Sequence, residues 1–461
     1  MLILIFAVYL CMIKINRRKF LGLSLASFGY FNLMKSSFSL NPDVVVIGAG
    51  AAGLAATDYL IKSGYSVVCI EADNRIGGRV HTDMDTFGVP YDIGAHWIQN
   101  GIHNPFKEYG QSIANEGFEL YPEQQNEWLV MDGNKKINGT IDEANLWSQY
   151  SATEEEISKN GNKDIPPDMV VPNEFPEWYD AVHLNIGPYS MAKDYSNFSC
   201  IDWENYAPES QDWHCTQGYG ALVAYKWRNV PVSLNTEAIN IHWGDKIIQV
   251  DTNKGMIESK KCIVTVSNGV LSSEKINFFP KLPLSKVESF NGITMGVYNH
   301  VGILFDENVF SVNKSDVYMY YKLKNNNTKS PQGMGCFLNA SGSGLSYFDT
   351  AGEFGRQLEN QGSEAMIDFT LNELISMFGS NIKKHYIKVS TTSWGSNRFT
   401  YGSYASAEPG SYKYRKLIKE PVNEKLFFAG EATALEYASV SGAHRSGIRA
   451  AKETIKSLNI L

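Results

Sequence analysis

The sequence predicts an α/β fold in which a discontinuous Rossmann-like domain is interleaved with an α+β domain. The apolar run Val44-Val45-Val46-Ile47 ends directly on the turn Gly48-Ala49-Gly50-Ala51-Ala52-Gly53, and a second run, Val67-Val68-Cys69-Ile70, ends on Glu71, 23 residues after Gly48. Near the C-terminus, Lys425-Leu426-Phe427-Phe428-Ala429-Gly430-Glu431 is again a strand meeting a glycine, with a helix expected from about Gly442. The last stretch therefore rejoins the first sheet. With 461 residues, 43% of them hydrophobic, the chain also exceeds what one ordinary core organises.

Each residue of the first turn has a physical task. Gly48 lets the chain turn tightly, Gly50 lets the backbone approach a pyrophosphate, and Gly53 lets helix and strand pack closely, with Ala52 between them. The helix after Gly50 then points its amides at the phosphates. Glu71, followed by Ala72, ends the second strand where a carboxylate accepts ribose hydroxyls. This is a dinucleotide-binding fingerprint.

Residues 1–40 stand outside this pattern. Asn16-Arg17-Arg18-Lys19-Phe20-Leu21-Gly22 before a weakly apolar run reads as a twin-arginine export signal. It implies the twin-arginine machinery as a partner and a periplasmic mature protein, or one tethered by an uncleaved leader. The alternative is a membrane anchor flanked by Arg17 and Arg18. The earlier run Leu2 to Ile13 falls short of the about 20 residues that span a bilayer, so Met12 is a second candidate start. A net charge of -8 argues against nucleic acid as a partner. Of six cysteines, Cys11 lies in the leader, and the other five show no zinc or disulfide spacing; Cys69 and Cys262 are expected in buried strands, and no metal site is expected.

From residue 98 to 214 the chain is rich in Trp, Tyr, Pro and acids and carries no nucleotide signature. Gln217-Gly218-Tyr219-Gly220-Ala221-Leu222 opens a helix, and strands are expected at Val232 to Leu234, Ala238 to Trp243, Ile247 to Asp251 and Cys262 to Val266. Further strands are expected at Val297 to Phe305 and Val317 to Leu323, and Glu364 to Phe378 has the spacing of an amphipathic helix. The nucleotide domain is accordingly expected over 42–97, 215–284 and 391–461, and the second domain over 98–214 and 285–390.

In order and spacing, several pieces resemble the flavin-containing amine oxidase family, which includes monoamine and polyamine oxidases, L-amino-acid oxidases and lysine-specific demethylases. They are Gly77-Gly78-Arg79 before Thr82, Asp92-Ile93-Gly94-Ala95-His96-Trp97, Val270-Leu271 before Pro280 and Pro283, Trp394 ahead of Gly402-Ser403-Tyr404, and Phe428-Ala429-Gly430-Glu431 leading to Gly442-Ala443. The likeness runs from about residue 42 to the C-terminus.

The resemblance implies FAD as cofactor and a substrate-binding role for the second domain. Arg79, after Gly78, would pair with the diphosphate, unless it is a surface ion pair. Gly94 and Ala95 would lie against the flavin ring beside His96, and Trp97 would wall the pocket or sit as a plain core tryptophan. Ala238 and Trp394 complete the cofactor set together with Gly430, Glu431, Ser439 and Val440, helped by Thr433. The carboxylate of Glu431 near phosphates requires hydroxyl or amide donors.

Tyr404 matches the aromatic residue that cages an amine, with a core tyrosine as the alternative, and Ser439 is the better match for a second cage position, which makes the cage one-sided. Ser403 stands where covalent members carry the flavin-linking cysteine, so FAD is expected to be noncovalent. His300 replaces the family lysine that holds a water beside flavin N5, and its charge changes near neutrality; a buried structural histidine is the other reading. His300 and Tyr404 are the catalytic candidates. Gln99 and Asn100 occupy positions where some polyamine oxidases carry His or Glu, which gives no support to polyamine specificity.

The implied reaction takes hydride from the α carbon of a small-molecule amine to flavin N5, leaves an imine that water hydrolyses, and passes electrons to oxygen or another acceptor, with hydrogen peroxide in the first case. Two other readings share the cofactor: a desaturase or dehydrogenase of the same architecture, and a non-catalytic flavin-binding protein.

Overall fold

The computed structural model describes residues 41–123, 128–206, 210–306, 309–312, 314–324 and 329–459. The export signal expected over 1–40 lies outside the described residues.

A four-stranded parallel sheet forms the nucleotide-type unit, in the order Val67–Ile70, Val44–Ile47, Lys261–Val264, Leu426–Phe428. The strand Val44–Ile47 is apolar throughout because it is buried on both faces. Val44 and Val46 enter one core cluster, and Val45 and Ile47 enter another. Crossover from Val44–Ile47 to Val67–Ile70 runs through the helix Ala51–Lys62. The helix is capped at its start by Gly50 without any side-chain bond, which leaves its first amides open.

Gly53 allows this helix to press on the preceding turn. A Cβ there would stand 1.9 Å from the Gly48 carbonyl oxygen and 2.8 Å from Thr265 Oγ1, while Gly48 itself adopts φ +102°. The C-terminal helix Val440–Leu458 packs alongside, with Gly447 against the Ala52 carbonyl. A second four-stranded sheet, ordered Gly255–Ser259, Ile248–Thr252, Ala238–His242, Asn277–Phe279, flanks the first in sequence.

A seven-stranded sheet follows the order Tyr386–Thr391, Tyr298–Phe305, Leu345–Ala351, Gly335–Leu338, Val317–Tyr321, Trp128–Asp132, Lys135–Lys136. Its pairs are antiparallel except Val317–Tyr321 with Trp128–Asp132. The helices Ile141–Lys159, Pro176–Leu184 and Ser363–Phe378 bury their apolar faces in its core. All sheets belong to one compact unit beginning at Asn41.

Most expected elements recur with boundaries shifted by one or two residues; the helix expected from Gly442 starts at Val440, and that expected over Glu364 to Phe378 starts at Ser363. Val232 to Leu234 is corrected. Only Ser233 bridges there, to Ile70, and its backbone is spent holding the end of the second parallel strand rather than building another. Cys69 and Cys262 are buried and free, as are Cys200, Cys215 and Cys336.

Gly53→Ala is expected to destabilise the protein by about 1–3 kcal/mol, the usual cost of overpacking against backbone that cannot yield. Denaturant unfolding of the variant measures it, and an unchanged midpoint would contradict the packing described.

Candidate active site

A cavity of about 1230 Å³ begins at the glycine turn and extends to residues of the seven-stranded sheet. Among the expected positions, Gly48, Gly50, Ala52, Glu71, Ala72, Gly78, Arg79, Gly94, Ala95, Trp97, Ala238, Trp394, Gly430, Ser439, Val440, His300 and Tyr404 line it. Gly53, His96, Glu431 and Thr433 do not. Gly53 is spent on packing, and Thr433 donates to the Gly430 carbonyl. His96 sits behind the wall with its ring 3.6 Å from that of Trp97; burial holds its pKa well below 6.5, so the ring is neutral.

At the turn, Gly50, Ala51 and Ala52 at the uncapped start of the helix Ala51–Lys62 line the cavity, and a Cβ at Gly50 would meet nothing within 4 Å beyond its chain neighbours. This is space a phosphate can enter. Glu71 accepts the amides of Ala49 at 2.6 Å and Asp73 at 2.9 Å. Burial raises its pKa, and those two amides act against the rise. A carboxylate has about four acceptor positions, so two remain for ribose hydroxyls. Arg75, which the sequence reading passed over, lines the same end and donates to the Gly78 carbonyl at 2.8 Å.

Arg79 donates through Nη1 to the Ser403 carbonyl at 2.6 Å and to Glu431 Oε1 at 2.9 Å. Glu431 Oε2 accepts the amides of Ala438 at 3.0 Å and Ala405 at 3.3 Å. The donors that its carboxylate requires are therefore this arginine and two amides. Ala438 is held at φ +58°, a left-handed conformation that favours glycine, at the cavity wall. Ser439 spends its hydroxyl on capping, accepting from the Gly442 amide at 3.0 Å.

The segment 93–97 is fastened at several points. Trp394 Nε1 donates to the Ile93 carbonyl at 2.9 Å, the Ala95 amide to Arg79 at 3.1 Å, and Trp97 Nε1 to the Tyr318 hydroxyl at 2.7 Å. Gly94 has no room for a side chain, since a Cβ would lie 2.1 Å from the Arg79 carbonyl oxygen.

Beyond this segment the cavity becomes aromatic. Tyr404 lies 6.0 Å from Tyr298 by ring centroids, Tyr298 5.7 Å from Tyr189, and Tyr189 6.0 Å from Trp97. Tyr189 is presented by a π-helical turn, Asn185–Tyr189, and the Tyr404 hydroxyl donates to its carbonyl at 3.2 Å. Ser403 exchanges bonds with the backbone of Tyr298, at 2.7 and 2.9 Å. His300 is buried, with Nδ1 2.5 Å from Asp349 Oδ1 and Nε2 3.0 Å from the Gly94 carbonyl oxygen. Both ring nitrogens are thus engaged by the protein.

Among the described residues, those lining it from 97–212 and 298–318 include four carboxylates, Glu123, Glu154, Glu204 and Asp212, and no Lys or Arg. Burial by itself raises Glu123, but His214, Tyr318 and Trp97 beside it hold the carboxyl below its ordinary value and therefore ionised. Gln99 lines the cavity, while the Asn100 amide donates to Asp212 Oδ1 at 2.9 Å. Sequence reading assigned no role to Glu123, Tyr189, Tyr298 or Asp349. The one signal for the last was a carboxylate inside the apolar strand Leu345–Ala351.

Glu431→Gln is expected to free Arg79 and cost roughly 1–3 kcal/mol, the scale of a lost bond to a charged group. Thermal unfolding together with the cofactor content of the purified variant measures both effects.

Residues 149–455 match the family described as flavin containing amine oxidoreductase, and residues 46–111 match an NAD(P)-binding Rossmann-like domain. Polyamine oxidase 3 of Oryza sativa subsp. japonica is 26% identical over 466 residues, covering 90% of this chain and 89% of that protein. Lysine-specific histone demethylase 1 homolog 2 of Arabidopsis thaliana is 26% identical, covering 91% and 59%. Putrescine oxidase bound to putrescine superposes with a TM-score of 0.73 at 19% identity, covering 90% of this chain and 99% of that one. Cyclohexylamine oxidase from Brevibacterium oxydans gives 0.73 at 18%, covering 91% and 100%. With two thirds of its length inside the family match, on a Rossmann-like frame that opens into an aromatic chamber, the chain belongs to the flavin containing amine oxidoreductase family and is an oxidoreductase acting on CH–NH bonds.

Proposed function

We propose that the protein holds FAD noncovalently and oxidises an amine that carries a second cationic group, with oxygen as acceptor and hydrogen peroxide as product. The observation behind this reading is continuity: one cavity joins the open helix amides to a chamber of aromatic rings and carboxylates. When bound, the flavin supplies the hydride acceptor. The remaining work belongs to the chain.

In this reading, the amides after Gly50 and the guanidinium of Arg79 take the diphosphate, and Glu71 takes the ribose. Gly94, Ala95 and Trp394 form the surface on which the flavin ring lies. Ser403 is a serine with its hydroxyl already committed, which favours noncovalent binding. Tyr404, Tyr298, Tyr189 and Trp97 exclude water and orient the reacting amine. Glu123, ionised and walled by Trp97 and Tyr318, takes the distal ammonium. Relatives named polyamine oxidase and putrescine oxidase agree with such a substrate, and these carboxylates outweigh the silence of Gln99 and Asn100.

A dehydrogenase with another acceptor has one observation in its favour. His300 keeps no ring nitrogen for a water, because Asp349 and Gly94 take both.

Anaerobic mixing with a panel of mono- and diamines tests the function. Diamines are expected to bleach the flavin, faster as pH rises from about 6 to about 10, because only the unprotonated amine donates hydride readily. No bleaching by any amine would remove the reading, and peroxide measured on admitting air separates oxygen from other acceptors. Glu123→Gln should raise KM for a diamine roughly tenfold or more, the value of a charge-assisted bond, and leave a monoamine of equal length unaffected.

We further propose that the leader directs export to the periplasm. Replacing Arg17 and Arg18 together by Lys should hold the protein in the cytoplasm, as fractionation would show; unchanged export would contradict a twin-arginine route.

A further inference from the structure

Tyr298 and His300 both line the cavity, and behind its wall they meet at one carboxylate. In the antiparallel pairing of Tyr298–Phe305 with Leu345–Ala351, His300 stands directly opposite Asp349. Tyr298, two residues before His300, shares its face of the sheet. Asp349 is fully buried. Its Oδ2 accepts the Tyr298 hydroxyl at 2.6 Å, and its Oδ1 faces His300 Nδ1.

The protons follow from what each partner can do. A backbone carbonyl only accepts, so His300 Nε2 donates to Gly94. A carboxylate already taking the tyrosine proton accepts as well, so Nδ1 donates to Asp349. The ring is then an imidazolium paired with a carboxylate. The other groups facing it fit this state. Asp92, whose carboxyl is pushed up by burial and held back by Thr82 and the amides of Tyr219 and Gly220, also favours a charged ring, His96 at 5.2 Å is neutral, and Tyr298 and Tyr347, at 5.6 and 5.0 Å, have hydroxyls with pKa values raised by burial. Burial alone lowers the pKa of His300, and Asp349 and the bonded Gly94 carbonyl lift it above 6.5.

We propose that Asp349 is a positioning residue of the amine site, which keeps both ring nitrogens of His300 donating and turns the single proton of Tyr298 away from the substrate. Two consequences reach the cavity. The Gly94 carbonyl is fixed where the flavin ring lies in the proposed function, on which this inference rests. The Tyr298 oxygen meets a bound amine only as an acceptor, so it selects an N–H donor.

Nitrogen NMR of holoenzyme labelled in histidine, with His300 assigned through His300→Gln, tests the arrangement without turnover. The native ring is expected to stay doubly protonated as pH rises through the range where an ordinary histidine, near about 6.5, loses its proton. Asp349→Asn should let it titrate and slow flavin reduction by an amine roughly ten- to a hundredfold. Tyr298→Phe should raise KM for the amine about tenfold with little change in kcat, as loss of one accepted bond requires. A native ring that titrates near 6.5 or carries one proton overturns the proposal, as does Asp349→Asn with an unchanged His300 signal and rate. If Asp349→Asn fails to fold, the native resonance and Tyr298→Phe decide. If no amine reduces the flavin, the proposed function fails while the His300 resonance still reports on Asp349.

Discussion

The contact between Gly53 and the Gly48 carbonyl sets the position of everything that meets the cavity. Because no side chain intervenes, the helix Ala51–Lys62 starts one turn from the strand and aims its unpaired amides into open space. Gly447 repeats the device from the other side, bringing the helix Val440–Leu458 against the Ala52 carbonyl. The N-terminus of that second helix, with Ser439 and Val440, therefore reaches the same cavity from almost 400 residues away in sequence. Loop closure over such a length costs little more than over a short one, because the entropy grows only logarithmically. Two close backbone approaches then suffice to return the chain end to its beginning.

Arg79 and Glu431 tie that closure together chemically. Their pair links the segment after the first turn to the segment after the last parallel strand, and Glu431 spends its second oxygen on amides on either side of it. Breaking one partner of such a group exposes the rest of it, since each remaining donor or acceptor loses its counterpart in a place water reaches poorly. The left-handed Ala438 is tolerated here because its amide is held by the same carboxylate.

What the sequence made legible is what the backbone decides locally. An apolar strand running into glycine, an acid at the next strand end, and helical spacing over Glu364 to Phe378 are consequences of near-neighbour rules, and each reappears. Glu123 and Asp349 were not legible. Their importance comes from strand register and from partners such as Tyr318 and His300, which lie 195 and 49 residues away. His300 shows the difference best. Its residue type alone suggested a charge that varies near neutrality, whereas the opposite strand supplies an acid that raises its pKa above the ordinary histidine value.

The paired His300 and Asp349 also bear on the charge of the chamber. A lysine at that position with no acid opposite it would add a full positive charge to the wall, facing any cationic substrate. An imidazolium neutralised by its own carboxylate adds almost none, while still donating a bond to Gly94. The chamber is then free to be governed by Glu123, Glu154, Glu204 and Asp212. An ammonium entering it exchanges water for carboxylates and ring faces without meeting an unpaired like charge among the described lining residues of the chamber, as the proposed doubly cationic amine would require.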